Sequence, residues 1–494
     1  MQVDIFTQQK SSIDQLIATL IQLESRPKLA IVDQKSVLTR KDAVLSDLDS
    51  KLSSLESLVK RLTDSITDYF AAKSASGSDD KLFTVSAGTS AQVASHDLTV
   101  QRLAKSDTRV SKQYTATGSD LQSFFSSNGS QTFQIQVAHP TTSDSSNRVN
   151  VSVTVNPSTT SNDDILKDIA TAINSAMDSA VSASTITSDE KVTASVVQEQ
   201  SGKSRLIFRS ATSGYTYRMG FTDSANSLLS SLEISNNVQT SGTSGGYVTS
   251  IGTSATDSQL NAKLQLDGLT FYRDKNEITD IQTGVTLTLK NVTTSTETIK
   301  ISIDVSAVKT EVEKFLTAYN DALKFLKAKT TVDPDTYVRE VLAGDSTYRG
   351  LLASLRSIIS SKVTNVVTGN PQYLSEIGIT AGDDGSLSIT DSEKFEQKLQ
   401  SSSKTISDLF NATDGIATQI KNLIADYVKV GGVIDDSQTS LSDRLKVLDN
   451  RIERMDDRLV EREQQLRKQF ARMQQVAALL QRQQFTFQSI FPGA

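Results

Sequence analysis

Two histidines and no cysteine are the inventory from which any active site in this 494-residue chain would have to be assembled. Without thiols, a disulfide framework, a thiolate zinc site, an iron–sulfur cluster and a cysteine nucleophile are all excluded. His96 and His139 lie in different segments, without the HExxH spacing that sets two imidazoles on one helix face, and both read as surface or turn residues. Gly202-Lys203-Ser204 ends like a phosphate-binding loop, but the glycine that would open it is replaced by Val197. The nest of backbone amides is not encoded, and a hairpin turn is the better reading. Asp333, Asp335 and Glu340 have the outline of a calcium loop, yet its sharp-turn glycine is missing and Pro334 intervenes, so a helix-flanking turn is expected. Gly242, Gly245 and Gly246 have neither the spacing nor the following helix of a dinucleotide fingerprint. No spacing sets two carboxylates across a cleft. The expectation is a protein that is not an enzyme, with no cofactor and no metal.

Composition points the same way. Against 57 acidic residues stand 51 basic ones, a net charge of −6, which disfavours a general nucleic-acid or anionic-membrane binder. Between Gln438 and Gln484 ten basic and seven acidic residues interleave, and no aromatics alternate with the arginines to stack bases, as on the outside of a coiled coil. Apolar residues make up 37% and aromatics 6%, with no tryptophan; this suits slender helices and Ser/Thr-rich sheets better than a deep aromatic pocket. No stretch approaches the ~18 to 20 apolar residues of a membrane span. The best, Ile13 to Leu23, carries Asp14, Gln15, Thr19 and Gln22. The first residues do not read as a signal peptide, so the expectation is that a dedicated exporter would be needed for the chain to leave the cell.

The two ends share one pattern. Leu45, Leu48, Leu52, Leu55, Val59, Leu62 and Ile66 recur in steps of three and four, the 3.5-residue period of a coiled-coil seam. Upstream, Ile13, Leu16, Ile17, Leu20 and Leu23 share a helical face, and Pro27 predicts a break that expels Arg26 from the helical region. Near the other end Leu441, Leu445, Leu448, Ile452, Met455 and Leu459 form a second seam over a helix of about 438 to 485. Arg462 takes the next seam position before Leu466, Phe470, Met473, Ala477 and Leu480 resume with a spacing that should locally unwind a supercoil. Neither stripe can bury itself, so the two termini are expected to pack on each other, with Arg462 leaving the coil able to bend. The apolar tail Phe485, Phe487, Ile490 and Phe491 is a candidate contact for a partner.

Between roughly 80 and 305 the helical period gives way to β-branched alternation. Strands are expected at Thr132 to Ala138, Val149 to Val155, Val192 to Val197, Arg205 to Arg209, Lys263 to Tyr272, Val285 to Lys290 and Ile299 to Val305. One helix interrupts, Asp163 to Met177, with Ser161 as N-cap. Thr240 to Gly246 reads as a linker between two β-rich units. Helices return at Val308 to Leu326 and Tyr348 to Val363. Asp383-Asp384-Gly385 then closes a small hairpin flanked by helices at Ser392 to Leu399 and Ile406 to Phe410. The fold class is α+β and multidomain: terminal helices packed as coiled-coil legs carrying an inserted β-rich head of two domains.

These blocks resemble a known family. Leu264-x-Leu266-Asp267-Gly268-Leu269, Arg273, Asn276-Glu277-Ile278-Thr279-Asp280 and Gly284 to Lys290 are similar to the C-terminal half of the bacterial flagellar filament cap family, hook-associated protein 2. Tyr319-Asn320, Leu374 to Ile379, Asp384 to Ile389, Leu409-Phe410, Gly431-Gly432 and Gln469-Phe470 follow in the same order, and Ile13-Asp14-x-Leu16 to Glu24 with Pro27 resembles its N-terminal block. Thr132 to Val137, Asp163 to Asn174 and Leu206 to Gly214 look like the repeat found inside flagellins and caps. The glycine-rich stretch with which the family usually begins is absent from Met1 to Ser12.

The resemblance implies legs from 1–40 with 445–494, a helical stalk from 41–78 with 307–444, an inner head from 79–120 with 240–306 and an outer head from 121–239. It implies a structural cap at the distal filament tip, secreted through the flagellar type III apparatus without a cleaved signal peptide. The partners it implies are the chain itself in a ring of about five subunits, flagellin, hook–filament junction proteins and an export chaperone, with no nucleic acid and no membrane insertion. Flagellin would fold and insert beneath the cap, prevented from leaking away, with the burial of its surface driving the cap onward. A hook–filament junction protein and a coiled-coil adhesin with a β-rich head are the rival readings.

Overall fold

The computed structural model describes every residue except 1–13, 65–67, 143–146, 235–237, 240–241, 336 and 491–494, and the side chains of 488–490. Ile13, Ile66, Thr240, Phe491 and the Ile490 side chain therefore lie outside what is described. The fold is α+β, in two compact units: a helical one from both chain ends and a β-rich one from Ala71–Asp304.

The first helices are α1 at 14–24 and α2 at Arg26–Leu62. The expected break at Pro27 falls instead at Ser25, and Arg26 is already helical. A proline in the first helical turn forfeits no intrahelical hydrogen bond, because the N–H groups there have no acceptor, so Pro27 starts α2. The helix then runs unbroken through the seam. Leu45, Leu48, Leu52, Leu55 and Val59 are wholly inaccessible and Leu62 nearly so.

The β-rich unit begins with β1 (Lys73–Gly77), β2 (Phe83–Ala87), β3 (Ala94–Arg102), β4 (Ser106–Val110) and β5 (Tyr114–Thr115) ahead of α3 (Asp120–Asn128). β6 (Gln131–Val137) and β7 (Val149–Val155) precede α4 (Asn162–Ser182), whose N-cap Ser161 accepts from the Asp164 N–H. β8 (Val192–Gln200), β9 (Lys203–Ser213), β10 (Gly220–Thr222), α5 (Leu228–Ser231) and β11 (Gly246–Tyr247) follow. The unit closes with β12 (Ala262–Leu266), β13 (Leu269–Arg273), β14 (Glu277–Ile278), β15 (Val285–Leu289) and β16 (Glu297–Ile303). It holds two separate cores. One joins the faces of β6, β7, β8 and β9 to α4, through residues such as Phe133, Val153, Ile169 and Phe208. The other joins β3, β12, β15 and β16, through Leu98, Leu264, Leu287 and Ile301.

Two expectations are corrected here. Lys263 to Tyr272 is not one strand but the antiparallel pair β12 and β13, turned by Asp267 and Gly268 at φ 51° and 82°. That left-handed pair is what an Asp-Gly hairpin turn requires. Of the expected linker, the described part from Gly242 to Gly246 is held: the Arg205 guanidinium donates to the carbonyls of Gly242 and Ser244, and Gly246-Tyr247 pairs with β4. Arg109, almost fully buried beside Asp107, similarly donates to the Met219 carbonyl at 3.0 Å from between the rings of Phe221 and Tyr247.

Helices return with α6 (Val305–Thr330) and α7 (Ser346–Ser360), then the hairpin β17 (Ile379–Ala381) and β18 (Leu387–Ile389), with Gly385 in the left-handed region between them. α7 stops short of the predicted Val363, which is buried outside any helix. α8 (Ser392–Ser401), α9 (Ser403–Asn411), α10 (Ile416–Val428) and α11 (Val433–Ile490) complete the chain. The hairpin seats on α6 through Asn320, whose amide donates to Leu387 O at 2.8 Å and accepts from Leu387 N at 2.7 Å. Phe70 stacks on Phe410, which meets Phe315 edge-on, and these rings anchor the helical core.

Candidate functional site

Within the helical unit the terminal seams do not simply zip together. α6 and α10 lie along α2. Lys51 sits 5.7 Å from the Phe325 ring centre, Arg61 pairs with Glu311 at 2.9 Å and Lys421 donates to Thr63 at 3.2 Å. Those ties place Leu45 to Leu62 in a multi-helix bundle, which explains their complete burial, since a two-helix coil leaves its seam partly open. α11 meets the chain further upstream. Arg467 pairs with Asp14 at 2.8 Å and Arg462 with Glu24 at 3.1 Å; Asp456 pairs with Lys28, Asp449 with Lys35, and Gln438 donates to Asp42 at 3.4 Å.

Those contacts define an antiparallel pair, from 14 against 467 to 42 against 438, whose alignment drifts by up to six residues along its length. Along it the sign of the ion pairs inverts: carboxylates of α1 face arginines, while lysines of α2 face aspartates. A slip of one heptad would set Glu24 and Asp14 against Gln469 and Gln474, or against Met455 and Val460. Each exposed pair is worth ~0–1 kcal/mol, so the ladder ties the two halves of the pair together without adding much stability.

Of the second seam, Leu441, Leu448 and Leu466 are buried, whereas Leu445, Ile452, Met455, Leu459 and Phe470 are half-buried. Arg462 occupies its seam position by reaching to Glu24. α11 continues through it without interruption, from Val433 rather than 438. From Met473 onward the apolar side chains emerge: Leu479 is 60% exposed, Phe485 76% and Phe487 68%. Gln34, Leu38, Asp443, Arg444, Val447 and Leu448 line an open groove of about 320 Å³ between α2 and α11. Near the bundle end of the pair, burial and then the charge of Asp435 raise the Asp49 carboxyl above its ordinary range.

The residues weighed for chemistry lie elsewhere and apart. His96 is not a surface or turn residue: it lies within β3, its side chain 15% exposed, with Nδ1 2.7 Å from Asp267 and Nε2 2.9 Å from the Gln282 amide. The imidazole braces the β12–β13 turn, and its hydrogen bond, followed by the Asp97 N–H, holds the Asp267 carboxyl below its usual range. His139 accepts from the Thr141 N–H at 3.2 Å. Gly202 turns the β8–β9 hairpin, and Asp333 accepts from the Asp335 N–H in a turn closed by Val332 and Arg339. Among the described residues no three histidine or carboxylate side chains converge as a metal site, and no helix is long and apolar enough to cross a membrane.

Comparison with known proteins bears on both chain ends. The family pattern for the flagellar hook-associated protein 2 N-terminus matches residues 10–107, and that for the flagellar hook-associated protein 2 C-terminus matches residues 260–482. The A-type flagellar hook-associated protein 2 of Pseudomonas aeruginosa is 28% identical over 487 residues, covering 95% of this chain and 92% of its own. The flagellar hook-associated protein 2 of Xenorhabdus nematophila is 26% identical over 404 residues, 76% of each chain. In fold, the chain is similar to the crystal structure of the D1-D2-D3 domains of the flagellar cap protein FliD from Escherichia coli. The TM-score is 0.58 at 22% identity, over 81% of this chain and 99% of that one.

Proposed function

The chain belongs to the flagellar hook-associated protein 2 family, and from that premise we propose that it caps the distal tip of a flagellar filament. There it promotes folding and insertion of exported flagellin and prevents its leakage. The observation that carries the reading is the antiparallel pair of α1–α2 with α11, tied from Asp14–Arg467 to Asp42–Gln438 within the two family-matched stretches. A slender helical pair with half-buried apolar positions suits insertion among other helices better than it suits catalysis. The work is mechanical: flagellin burying its surface moves the cap onward, and no nucleotide is needed.

The same reading takes the partners to be further copies in a ring, flagellin, the hook–filament junction and an export chaperone, with passage through the flagellar type III apparatus. The exposed Phe485 and Phe487 supply apolar area for the chaperone before assembly and for flagellin after it. Deleting the gene and measuring flagellin on cells and in the medium tests the proposal. Lost filaments with unpolymerised flagellin in the medium, restored by the wild-type chain and poorly by one carrying Phe485→Ser and Phe487→Ser, is the expected result. Normal filaments after deletion would overturn the cap reading; full restoration by the double variant would remove the role given to the two phenylalanines.

A further inference from the structure

A strand at the edge of a sheet leaves the N–H and C=O of every second residue unpaired, and folded proteins usually keep such edges short, capped or charged so that no further strand adds to them. Most edges of the β-rich unit follow that rule. Among the described residues, only β7 and β8 of the strands that end a sheet exceed five residues. On β8 the Asn174 amide of α4 donates to the Ala194 carbonyl and accepts from the Ala194 N–H, both at 2.9 Å, and further along Glu199 pairs with Arg205 at 2.8 Å. A register shift between Gln198 and Gln200 also breaks its line. On the shorter β13 the Arg273 guanidinium donates to the Tyr272 carbonyl at 2.8 Å.

β7 carries none of these guards. It pairs with β6 alone, without a bulge, from Val149 opposite Val137 to Val155 opposite Gln131. The strand holds no charge and no proline: Val151, Val153 and Val155 are buried, while Asn150, Ser152 and Thr154 alternate with them and are exposed. Opposite those three, β6 presents Gln136, Gln134 and Thr132, so the outer side of the pair is uncharged throughout. Among the described residues, no backbone group of β7 bonds beyond β6 except the Val155 carbonyl, which accepts from the Ser130 hydroxyl at 3.2 Å. At ~3.3 Å per residue the open edge is about 23 Å long.

We propose that β7 is a strand-addition site whose occupant is an extended, unfolded stretch of another polypeptide, uncharged where it lies against β7. The chemistry of the edge selects it. A row of main-chain donors and acceptors at a two-residue repeat is matched by another extended backbone. A charge brought in beside Asn150, Ser152 and Thr154 would lose hydration and find no opposite charge there, so a neutral segment matches a neutral edge. Main-chain pairing reads extended shape more than particular side chains, which suits a chain that arrives unfolded and folds afterwards. Under the proposed function that chain is exported flagellin, and this naming of the occupant rests on that reading.

Amide hydrogen exchange of the full chain is the test, with two probes: an acetylated and amidated heptapeptide alternating threonine and valine, and flagellin from the same cells diluted out of denaturant. The peptide, at roughly ten times its Kd, should slow exchange across Val149–Val155 by about tenfold. Ser152→Lys with Thr154→Lys, which puts charge on the edge strand, should remove that protection with unchanged secondary structure; Thr132→Lys with Gln134→Lys, the same charges one strand further in, should keep it. A wild-type β7 that the peptide leaves unprotected, or protection that persists in the edge variant, would overturn strand addition, and this arm reads the same whether or not the chain caps filaments. Protection by the peptide but not by flagellin would overturn flagellin as the occupant while the site stands. Protection that rises with the concentration of the chain alone would make a second copy the occupant and overturn the assignment to an unfolded partner.

Discussion

A carboxylate used as a loop clamp leaves a signature in pH. Asp414 accepts from the Thr364 hydroxyl at 2.6 Å, the Thr364 N–H at 2.7 Å and the Asn365 N–H at 3.1 Å. Burial alone would raise its pKa, but these donors outweigh it and hold the group at about 2, below its ordinary 3.8. A depressed carboxyl stabilises the fold above its ordinary pKa and loses that contribution as pH falls toward the folded value. The melting temperature of the wild-type chain should therefore drop faster between pH 3.8 and about 2 than that of Asp414→Asn, which starts lower at neutral pH. Parallel curves would remove the clamp. Such pairings are hard to read from sequence because the partners are distant along the chain: His96 meets Asp267 across 171 residues, and an alternating strand pattern says only that one face is covered, not by what. The Asp267-Gly268 turn was legible in principle from its dipeptide, but the apolar residues on either side of it make one strand as plausible as two.

Among elements, the repeated steps of three and four mark two apolar stripes, because that period needs no knowledge of the partner. What it could not distinguish is a two-helix coil from a bundle, since both ask for one apolar stripe. The difference lies in α6 and α10, whose own stripes were visible but whose docking against α2 depends on contacts distant in sequence. Burial separates the two settings energetically. Leu52 is wholly inaccessible and Leu459 half-buried, so Leu52→Ala should cost ~2–5 kcal/mol and Leu459→Ala ~1 kcal/mol. Denaturant unfolding followed by helix signal would show this; equal losses would mean that the terminal pair is as closely packed as the bundle. The turn between α1 and α2 adds a finer point: proline marks a boundary, but whether it closes one helix or opens the next is decided by which amides already lack acceptors.

For the whole molecule, assigning helices to both ends and sheets to the middle followed from two hydrophobic periods, 3.5 and 2, and the two units are organised accordingly. The family resemblance lay in ordered blocks around Leu264 to Lys290 and Leu374 to Phe410 rather than in any constellation of reactive side chains. The cap role proposed above depends on position and binding rather than on reactive groups, so no constellation of side chains would announce it in the sequence. The most direct test is to see where the chain sits on native filaments, using gold-labelled antibody against Ala71–Asp304 and electron microscopy. The account predicts a single cluster of label at the free distal end of each filament. Label confined to the junction with the hook, or spread along the shaft, would contradict it.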